Sequence, residues 1–252
     1  MAAIVVIPAR FGSTRFPAKI LACETGRPLV QHVVDRVKQC ARVGRVIVAT
    51  DDARIVEELR PFGTDCVMTS PHHPSGTDRV AEVAAGLDPR HEFIINVQGD
   101  EPEIEPALID TLARLMEERA GESGGYPMWT AASPFRPPAD PQNPNLVKVV
   151  LTGAGRAMYF SRSPIPFHRD PANTPTPTYY LHAGIYAFRR DTLLRLAKLK
   201  PTPCELAENL EQLRAMENGI AIGVTLVDRA APGIDTAEQY AAFVKRHQAG
   251  AA

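Results

Sequence analysis

The sequence has few cysteines and almost no net charge. Its 252 residues carry a formal net charge of −1 at pH 7. No C-x-x-C pair occurs, which argues against a zinc or dithiol site. We expect free thiols in a reducing compartment at all four cysteines, which are Cys23, Cys40, Cys66 and Cys204. The balanced charge gives no general attraction to nucleic acid or an anionic membrane, so ligands must be recognised at a local site.

Long hydrophobic runs are missing as well. No apolar stretch approaches the ~20 residues that span a bilayer. The chain enters a strand-like run at residues 3–7 without a charged leader before it. We therefore expect a cytoplasmic protein without a membrane or nucleic-acid partner. Its length suits one large domain, or one domain with a substantial insertion.

Short apolar runs alternate with amphipathic segments in the first half of the chain. Buried strands are predicted at residues 3–7, 45–50, 65–69 and 92–97. Helices are predicted at residues 28–43, 77–86 and 105–119, and a further helix, capped by Asp51 or Asp52, ends at residue 60. This alternation predicts βαβ units and an α/β fold with a Rossmann-like, mainly parallel sheet.

Ligands of such a sheet bind beyond the carboxyl ends of its strands. The loops that leave those ends, which we expect to meet near one crevice, are residues 8–19, 50–53, 69–79 and 98–103. The first loop carries Arg10, Arg15 and Lys19 together with the hydroxyl of Ser13. Guanidinium groups fit phosphate oxygens as forks, and an ammonium adds a mobile charge. We predict that this loop holds a nucleotide triphosphate; the alternative is a solvated basic loop.

An acidic turn at residues 96–102 ends the fourth predicted strand. Asp100 is placed to hold Mg²⁺ against triphosphate oxygens, because this ion prefers one or two carboxylates together with phosphates and water. Gln98 could hydrogen-bond a hydroxyl or a base edge. Glu101 is interpreted as negative charge at the N-terminus of a helix.

Two further segments have two interpretations each. Asp235 is either a helix N-cap, with Glu238 completing a capping box, or a second metal ligand. After the third predicted strand, Gly76 and the neighbouring hydroxyls present backbone groups to a base, or Asp78 and Arg79 pair as a structural salt bridge.

Proline interrupts the second half of the chain after residue 130. Strands are predicted there at residues 145–151, 157–161, 179–188 and 221–227, and helices at residues 205–218 and 236–247. We expect these elements to extend the same sheet and to build a sugar-binding or dimerisation lobe.

Short motifs are spread over the whole chain. They are PAR at residues 8–10, STR at 13–15, Lys19, SGT at 75–77, NVQGDEP at 96–102, NLVKVV at 145–150, YFSR at 159–162, IP at 165–166, HAGIY at 182–186, Glu205, ENLEQLR at 208–214 and GID at 233–235. In this order they closely resemble the 3-deoxy-manno-octulosonate (KDO) cytidylyltransferases. The resemblance implies the nucleotide-diphospho-sugar transferase fold, usually as a homodimer. It also implies the conversion of CTP and KDO to CMP-KDO and pyrophosphate for lipopolysaccharide synthesis.

The resemblance also implies a single nucleotidyltransferase domain in which successive parts of the chain have different roles. Residues 1–130 would form a nucleotide-binding half, residues 131–230 a sugar-binding and dimerisation part, and residues 231–252 a metal-ligand turn and helix. The implied catalytic residues are Arg10, Lys19, Asp100 and Asp235, the last two as Mg²⁺ ligands. The implied nucleotide-binding residues are Arg10, Ser13, Arg15, Lys19, Ser75, Gly76, Thr77 and Arg79. The implied sugar-binding residues are Gln98, Arg162, His182, Tyr186, Glu211 and Gln212.

The residue chemistry agrees with these implied sugar contacts. KDO carries a carboxylate, which needs a cation such as Arg162. Glu208 is spaced to share a helix face with Glu211 and Gln212; the alternative is a solvated charged face. His182 lies on an apolar strand, where a core histidine is the alternative.

Three other functions compete with KDO activation. One is a cytidylyltransferase for another acid sugar, such as sialic acid or 8-amino-KDO. Another is a glycosyltransferase that consumes a nucleotide sugar. The basic loop at residues 8–19 argues against it, because such a loop suits a triphosphate ligand. The third is a non-catalytic nucleotide sensor, and the acidic residues argue against it.

Overall fold

The computed structural model describes residues 2–12, 16–118 and 125–250. The chain divides into two compact units. The first combines two stretches, Met1–Arg114 and Ala231–Ala252, and the second is the stretch between them, Leu115–Ala230. No helix in the described ranges has both the length and the apolar character that a membrane crossing requires.

Four parallel strands form the sheet of the first unit. They are β1 (Ala3–Ala9), β2 (Val43–Thr50), β3 (Cys66–Met68) and β4 (Phe93–Asn96). Their order across the sheet is β3-β2-β1-β4, with β1 between β2 and β4. Residues 3–7, the apolar first part of β1, are all buried, as expected for a central strand covered on both faces. The four predicted strands and their parallel arrangement are confirmed.

Three helices connect these strands, and a fourth helix follows β4. They are α1 (Leu29–Val37), α2 (Ala53–Leu59), α3 (Gly76–Gly86) and α4 (Pro106–Glu118). Asp52 caps α2 by accepting a hydrogen bond of 3.0 Å from the Arg54 amide, which confirms one of the two predicted caps. The helix α1 ends well before the predicted residue 43. After the last helical residue the Cys40 amide donates a hydrogen bond to the Val37 carbonyl oxygen at 3.0 Å, and β2 begins at Val43.

The second unit contains five strands. They are β5 (Met128–Pro134), β6 (Lys148–Leu151), β7 (Ala157–Ser161), β8 (Tyr180–Arg189) and β9 (Ile222–Leu226). Strand β5 pairs antiparallel with β8 and parallel with β9, while β6 pairs antiparallel with both β7 and β8. The sequence predicted four of these strands and missed β5. Alanine, serine and proline fill its second half, and the proline-rich connection follows directly.

The second unit contains three short helices, and the first unit contains one further, longer helix near the end of the chain. They are α5 (Arg190–Leu196), α6 (Pro203–Glu208), α7 (Gln212–Glu217) and, in the first unit, α8 (Ala237–Gln248). The single helix predicted over residues 205–218 is wrong, because Asn209 adopts a left-handed conformation with φ of 52° and ends α6. Glu208 therefore does not share a helix face with Glu211 and Gln212.

Candidate functional site

Three loops at the carboxyl edge of the first sheet meet around Pro8. A Cβ atom on Gly99 would lie 3.0 Å from the Pro8 carbonyl oxygen, and one on Gly76 would lie 3.4 Å from Pro8 Cγ. Glycine thus lets the acidic turn and the start of α3 approach the end of β1 closely. The predicted meeting of these loops is confirmed.

Arg79 ties a fourth loop to this edge. Its buried guanidinium donates to Asp51 Oδ2 at 2.9 Å and to Thr69 Oγ1 at 2.5 Å. The Thr69 amide in turn donates to the Thr50 carbonyl at 2.8 Å. The alternative interpretation, a salt bridge between Asp78 and Arg79, is therefore wrong, since Arg79 pairs with Asp51.

Ser75 caps α3, and Gly76 and Thr77 begin its first turn. The Ser75 hydroxyl accepts from the Asp78 amide at 3.2 Å and donates to the Asp78 carboxylate at 2.7 Å. Asp78 is thus used for capping. The first-turn amides of a helix point outward and suit an anion or a polar base edge, so base contacts by Ser75, Gly76 and Thr77 stay a prediction.

Lys19 brings two carboxylates together. Its ammonium donates to Asp100 Oδ2 at 2.5 Å, to Asp235 Oδ1 at 3.1 Å and to the Ile234 carbonyl oxygen at 2.8 Å. Lys19 is 9% exposed. The two predicted metal ligands, far apart in sequence, therefore converge on one cation. In the described ranges no group of three or more His, Cys, Asp and Glu side chains is placed to hold a metal.

Asp235 does not cap α8. The cap is Thr236, whose hydroxyl accepts from the Gln239 amide at 3.3 Å. The Gln239 side chain accepts from the amides of Asp235 and Thr236 at 2.7 and 3.0 Å, which completes a capping box. The N-cap interpretation of Asp235, with Glu238 as its partner, is wrong. The Asp235 carboxylate bonds to Lys19 instead.

The segment before α8 is fixed in place on both sides. The Ile234 amide donates to the Asp100 carbonyl oxygen at 2.8 Å, which joins the two acidic segments through their backbones. Ile234 also packs in a buried cluster with Leu29, Tyr240 and Phe243. Apolar packing of α8 thus sets the position of Asp235.

Glu101 lies beside the acid pair and is not the helix N-terminal charge that the sequence predicted, because α4 begins only at Pro106. Burial and then the neighbouring Asp100 raise the pKa of the Glu101 carboxyl to about 8. On the same turn, the Gln98 side chain donates to Asn96 Oδ1 at 3.3 Å.

Arg10 follows β1 and is exposed. Its predicted contact with a triphosphate stays a prediction. The two other predicted members of the basic loop, Ser13 and Arg15, lie outside the described residues.

On the second unit, His182 and Tyr186 lie close together on β8. Their ring centres are 5.4 Å apart, and His182 also meets the Phe160 ring edge-on at 4.9 Å. The His182 Nε2 shares a hydrogen bond of 3.0 Å with the Thr130 hydroxyl. Burial lowers the pKa of His182 to about 3, so its imidazole is neutral. Burial and the nearby Glu211 carboxylate raise the pKa of Tyr186, which keeps its phenol protonated.

Gln212 is buried at the start of α7. Its exposed fraction is 5%, and its Nε2 has no hydrogen-bond partner within the described part of the chain. A buried amide donor without a partner is costly, and a bound polar ligand would satisfy it.

Arg162 is held by main-chain carbonyl groups. Its guanidinium donates to the carbonyl oxygens of Glu208, Pro144 and Asn209 at 2.6, 2.9 and 3.3 Å. The Glu208 carboxylate accepts from the Arg162 amide and from the Ser161 hydroxyl at 2.9 and 2.6 Å. In this arrangement Arg162 fixes the chain around the break between α6 and α7. Its predicted pairing with a sugar carboxylate stays a prediction.

The sequence missed one buried lysine and one buried ion pair. Lys148, fully buried in an apolar run, donates to the carbonyl oxygens of Asn143, Leu146 and Arg162, and burial lowers its pKa. Glu205 and Arg214 form a buried bidentate pair, with bonds of 2.8 and 2.5 Å. A lysine inside an apolar strand is a sequence signal for the first. Nothing in the spacing marks the second, because its partners lie on different helices.

Comparisons with known proteins identify the family of the chain. The family model for cytidylyltransferases matches residues 4–222. A 3-deoxy-manno-octulosonate cytidylyltransferase of Geobacter sulfurreducens is 49% identical over 240 residues, which are 92% of this chain and 93% of the relative. An enzyme of the same name from Marinobacter nauticus is 46% identical, over 96% of this chain and 95% of its own.

A solved structure is similar over nearly the whole chain. It is a CMP:2-keto-3-deoxy-manno-octonic acid synthetase in complex with CTP, 39% identical, and it covers 99% of this chain and 100% of its own at a TM-score of 0.91. This likeness confirms the predicted fold class.

Proposed function

The chain belongs to the cytidylyltransferase family, and on that basis we propose that it transfers the cytidylyl group of CTP to KDO and releases pyrophosphate. The observation that carries the proposal is the convergence of Asp100 and Asp235 on the Lys19 ammonium. This acidic and basic cluster lies at the carboxyl edge of a parallel sheet, where α/β proteins bind nucleotides.

The acid pair fits a divalent cation. Two carboxylates and the Ile234 carbonyl oxygen already surround one positive charge, and a set of oxygen atoms is what Mg²⁺ prefers. Mg²⁺ is accordingly the proposed cofactor, with Asp100 and Asp235 as its protein ligands. When bound, one such ion would activate the attacking hydroxyl and a second would neutralise the departing pyrophosphate.

The protein's own cations would hold the triphosphate. Arg10 is exposed for a forked contact to phosphate oxygens, and Lys19 supplies an ammonium on a flexible stem. The C2 hydroxyl oxygen of KDO would attack the α-phosphorus in line, the bond from that phosphorus to the bridging oxygen would break, and pyrophosphate would leave. Positioning and electrostatic stabilisation would supply most of the rate enhancement.

The sugar would be bound by a set of neutral and charged polar groups. His182 is neutral and can accept or donate, Tyr186 is a protonated phenol, and the buried Gln212 amide needs an acceptor. Gln98, Arg162 and Glu211 complete the proposed set. A sugar acid with several hydroxyls matches such mixed donors and acceptors.

Two broader properties belong to the same proposal. A homodimer is supported by an apolar groove of about 640 Å³ on the second unit, near which Met158 and Phe167 are 58% and 83% exposed. A cytoplasmic location is supported by four free cysteines. The product would feed lipopolysaccharide synthesis.

The deciding experiment follows pyrophosphate release from CTP and Mg²⁺ with KDO, 8-amino-KDO or sialic acid, and with no sugar. We expect KDO to support the largest kcat/KM. A preference for another acid sugar would keep the reaction class and replace the substrate. Nucleotide binding without pyrophosphate release from any sugar would contradict the proposal, and consumption of a nucleotide sugar would favour a glycosyltransferase.

A further inference from the structure

The Lys19 ammonium donates all three of its N–H groups, two to carboxylate oxygens of the acid pair and one to a neighbouring backbone carbonyl oxygen. These are Asp100 Oδ2, Asp235 Oδ1 and the Ile234 carbonyl oxygen, at 2.5, 3.1 and 2.8 Å. An ammonium has no further N–H group to offer. In this state Lys19 cannot also bind a triphosphate with full hydrogen bonding.

A divalent cation would compete for the same oxygens. Two positive centres held a few ångströms apart on the same two carboxylates repel each other, so the ammonium and the ion oppose each other's binding there. We propose that Lys19 is a built-in counter-ion that neutralises the acid pair in the nucleotide-free enzyme and leaves it when a divalent cation binds. This inference rests on the proposed function, since it supplies the phosphates that Lys19 then meets.

The surrounding backbone favours such an exchange. Ala18, directly before Lys19, has a left-handed φ of 55°, and the Lys19 amide donates to the Phe16 carbonyl at 3.2 Å. This tight turn fixes where the side chain starts. The four-carbon stem beyond it is flexible, so the ammonium can change partners without a change of backbone.

The exchange couples metal binding to nucleotide binding. A metal ion that arrives alone must displace the ammonium from three hydrogen bonds and leave it without an anionic partner. With a triphosphate present, the displaced ammonium gains phosphate oxygens. Each ligand therefore strengthens the binding of the other through Lys19, in addition to their direct contact.

The test is calorimetric titration of the nucleotide-free protein with Mg²⁺ alone. Lys19→Met removes the competing charge, and we expect its Mg²⁺ affinity to rise by roughly tenfold or more. Lys19→Arg keeps a cation there, and Lys38→Met removes an exposed lysine from the end of α1. Lys38→Met should bind Mg²⁺ as wild type does, and Lys19→Arg, which keeps the positive charge, should not show the gain in affinity of Lys19→Met. Unchanged or weaker binding by Lys19→Met would overturn the inference.

A second measurement uses the wild-type chain, in case Lys19→Met does not fold. Acetylation of lysines by an N-hydroxysuccinimide ester, mapped by mass spectrometry, reports whether each amine is accessible. We expect Lys19 to react slowly without metal, faster with Mg²⁺ and slowly again with Mg²⁺ and CTP, while Lys38 reacts alike in all three. No effect of Mg²⁺ on Lys19 would contradict the exchange.

Failure of the inference and failure of the proposed function are separable. Pyrophosphate release decides the reaction, and binding of Mg²⁺ alone decides the counter-ion. An active enzyme whose Lys19→Met variant binds Mg²⁺ no tighter keeps the function and loses the inference. An inactive chain whose Lys19→Met variant binds Mg²⁺ more tightly keeps the counter-ion inference and loses the proposed function.

Discussion

Gly99 lies directly against the carbonyl oxygen of Pro8, with only 3.0 Å from that oxygen to the position of an added Cβ atom. Real Cβ atoms are rarely found so close, and a backbone oxygen of a central strand cannot move aside. The distance between the end of β1 and the acidic turn is therefore set by the absence of a side chain.

Gly99→Ala should move the acidic turn by a few tenths of an ångström. We expect a stability loss of about 1–3 kcal/mol from overpacking and a lower kcat/KM for CTP, because Asp100 is the next residue. Urea unfolding and pyrophosphate release measure the two effects. Gly86→Ala is the control, since an added Cβ there meets nothing within 4 Å at the end of α3. Equal behaviour of the two variants would contradict the argument.

Asp100→Asn should reduce turnover by at least about a hundredfold while the fold stays intact, because it removes a carboxylate from the proposed metal site. Circular dichroism checks the fold, and CMP-KDO formation checks the activity. Asp65→Asn alters a half-exposed carboxylate that pairs with Arg45 instead, and it should stay active. Near-normal CMP-KDO formation by Asp100→Asn would rule out the metal role.

The first sheet was predictable because its strands are continuous apolar runs between recognisable turns. Central strands of a parallel sheet are buried on both faces, so hydrophobicity alone marks β1 and β4. The strand β5 does not carry that signal, since it ends in alanine, serine and proline. The break at Asn209 was equally hidden, because a left-handed residue inside a helix-like sequence is decided by tertiary packing.

The candidate site was predictable as a set of residue types but not as a set of contacts. Arg10, Lys19 and Asp100 stand where cations and a carboxylate suit a triphosphate and a metal. The bond between Lys19 and Asp100 could not be foreseen, since nothing local specifies which of several nearby anions an ammonium takes. Asp235 was ambiguous for the same reason; the capping of α8 by Thr236 excludes the N-cap interpretation, and the metal role stays a prediction.

Arg214→Met should destabilise the second unit by about 3–5 kcal/mol, because it leaves the Glu205 carboxylate buried without its partner. Although burial raises the pKa of Glu205, bonding to Arg214 holds it below its ordinary value, so the wild-type pair weakens as pH falls through that lowered pKa. The double variant Glu205→Leu, Arg214→Met should recover much of the loss. Urea unfolding of all three variants tests this, with Glu205→Leu alone expected to be destabilising.

A matched control for that pair is the Arg246–Glu103 salt bridge, in which the arginine side chain is 44% exposed. Arg246→Met should cost less than about 1 kcal/mol, as surface pairs do. A similar cost for Arg246→Met and Arg214→Met would show that burial is not the deciding factor.

Stability should fall as pH is lowered from about 7, and His32 should account for part of the loss. Burial, and then His247, lower its pKa from 6.5 to about 4, against the opposing effect of Asp35. The unfolded chain binds a proton near pH 6.5 and the folded chain only near pH 4, so stability is lost between these values. At pH 5 the loss is about 2 kcal/mol.

His32→Gln retains a hydrogen-bonding group for Thr25, whose hydroxyl is 2.6 Å from His32 Nε2, but does not titrate. We expect a flatter stability profile between pH 7 and 5 for this variant in urea unfolding. His72→Gln changes an exposed histidine and should keep the wild-type profile. A profile for His32→Gln as steep as that of wild type would refute the assignment.

The second unit interrupts the first, which resumes only at Ala231. A ribosome that has translated through residue 230 has therefore made Lys19 and Asp100 but not the second carboxylate. Neither the acid pair nor the packing of α8 that positions it can form on such a nascent chain. On the proposed metal role of the pair, we expect chains that end before Asp235 to be inactive.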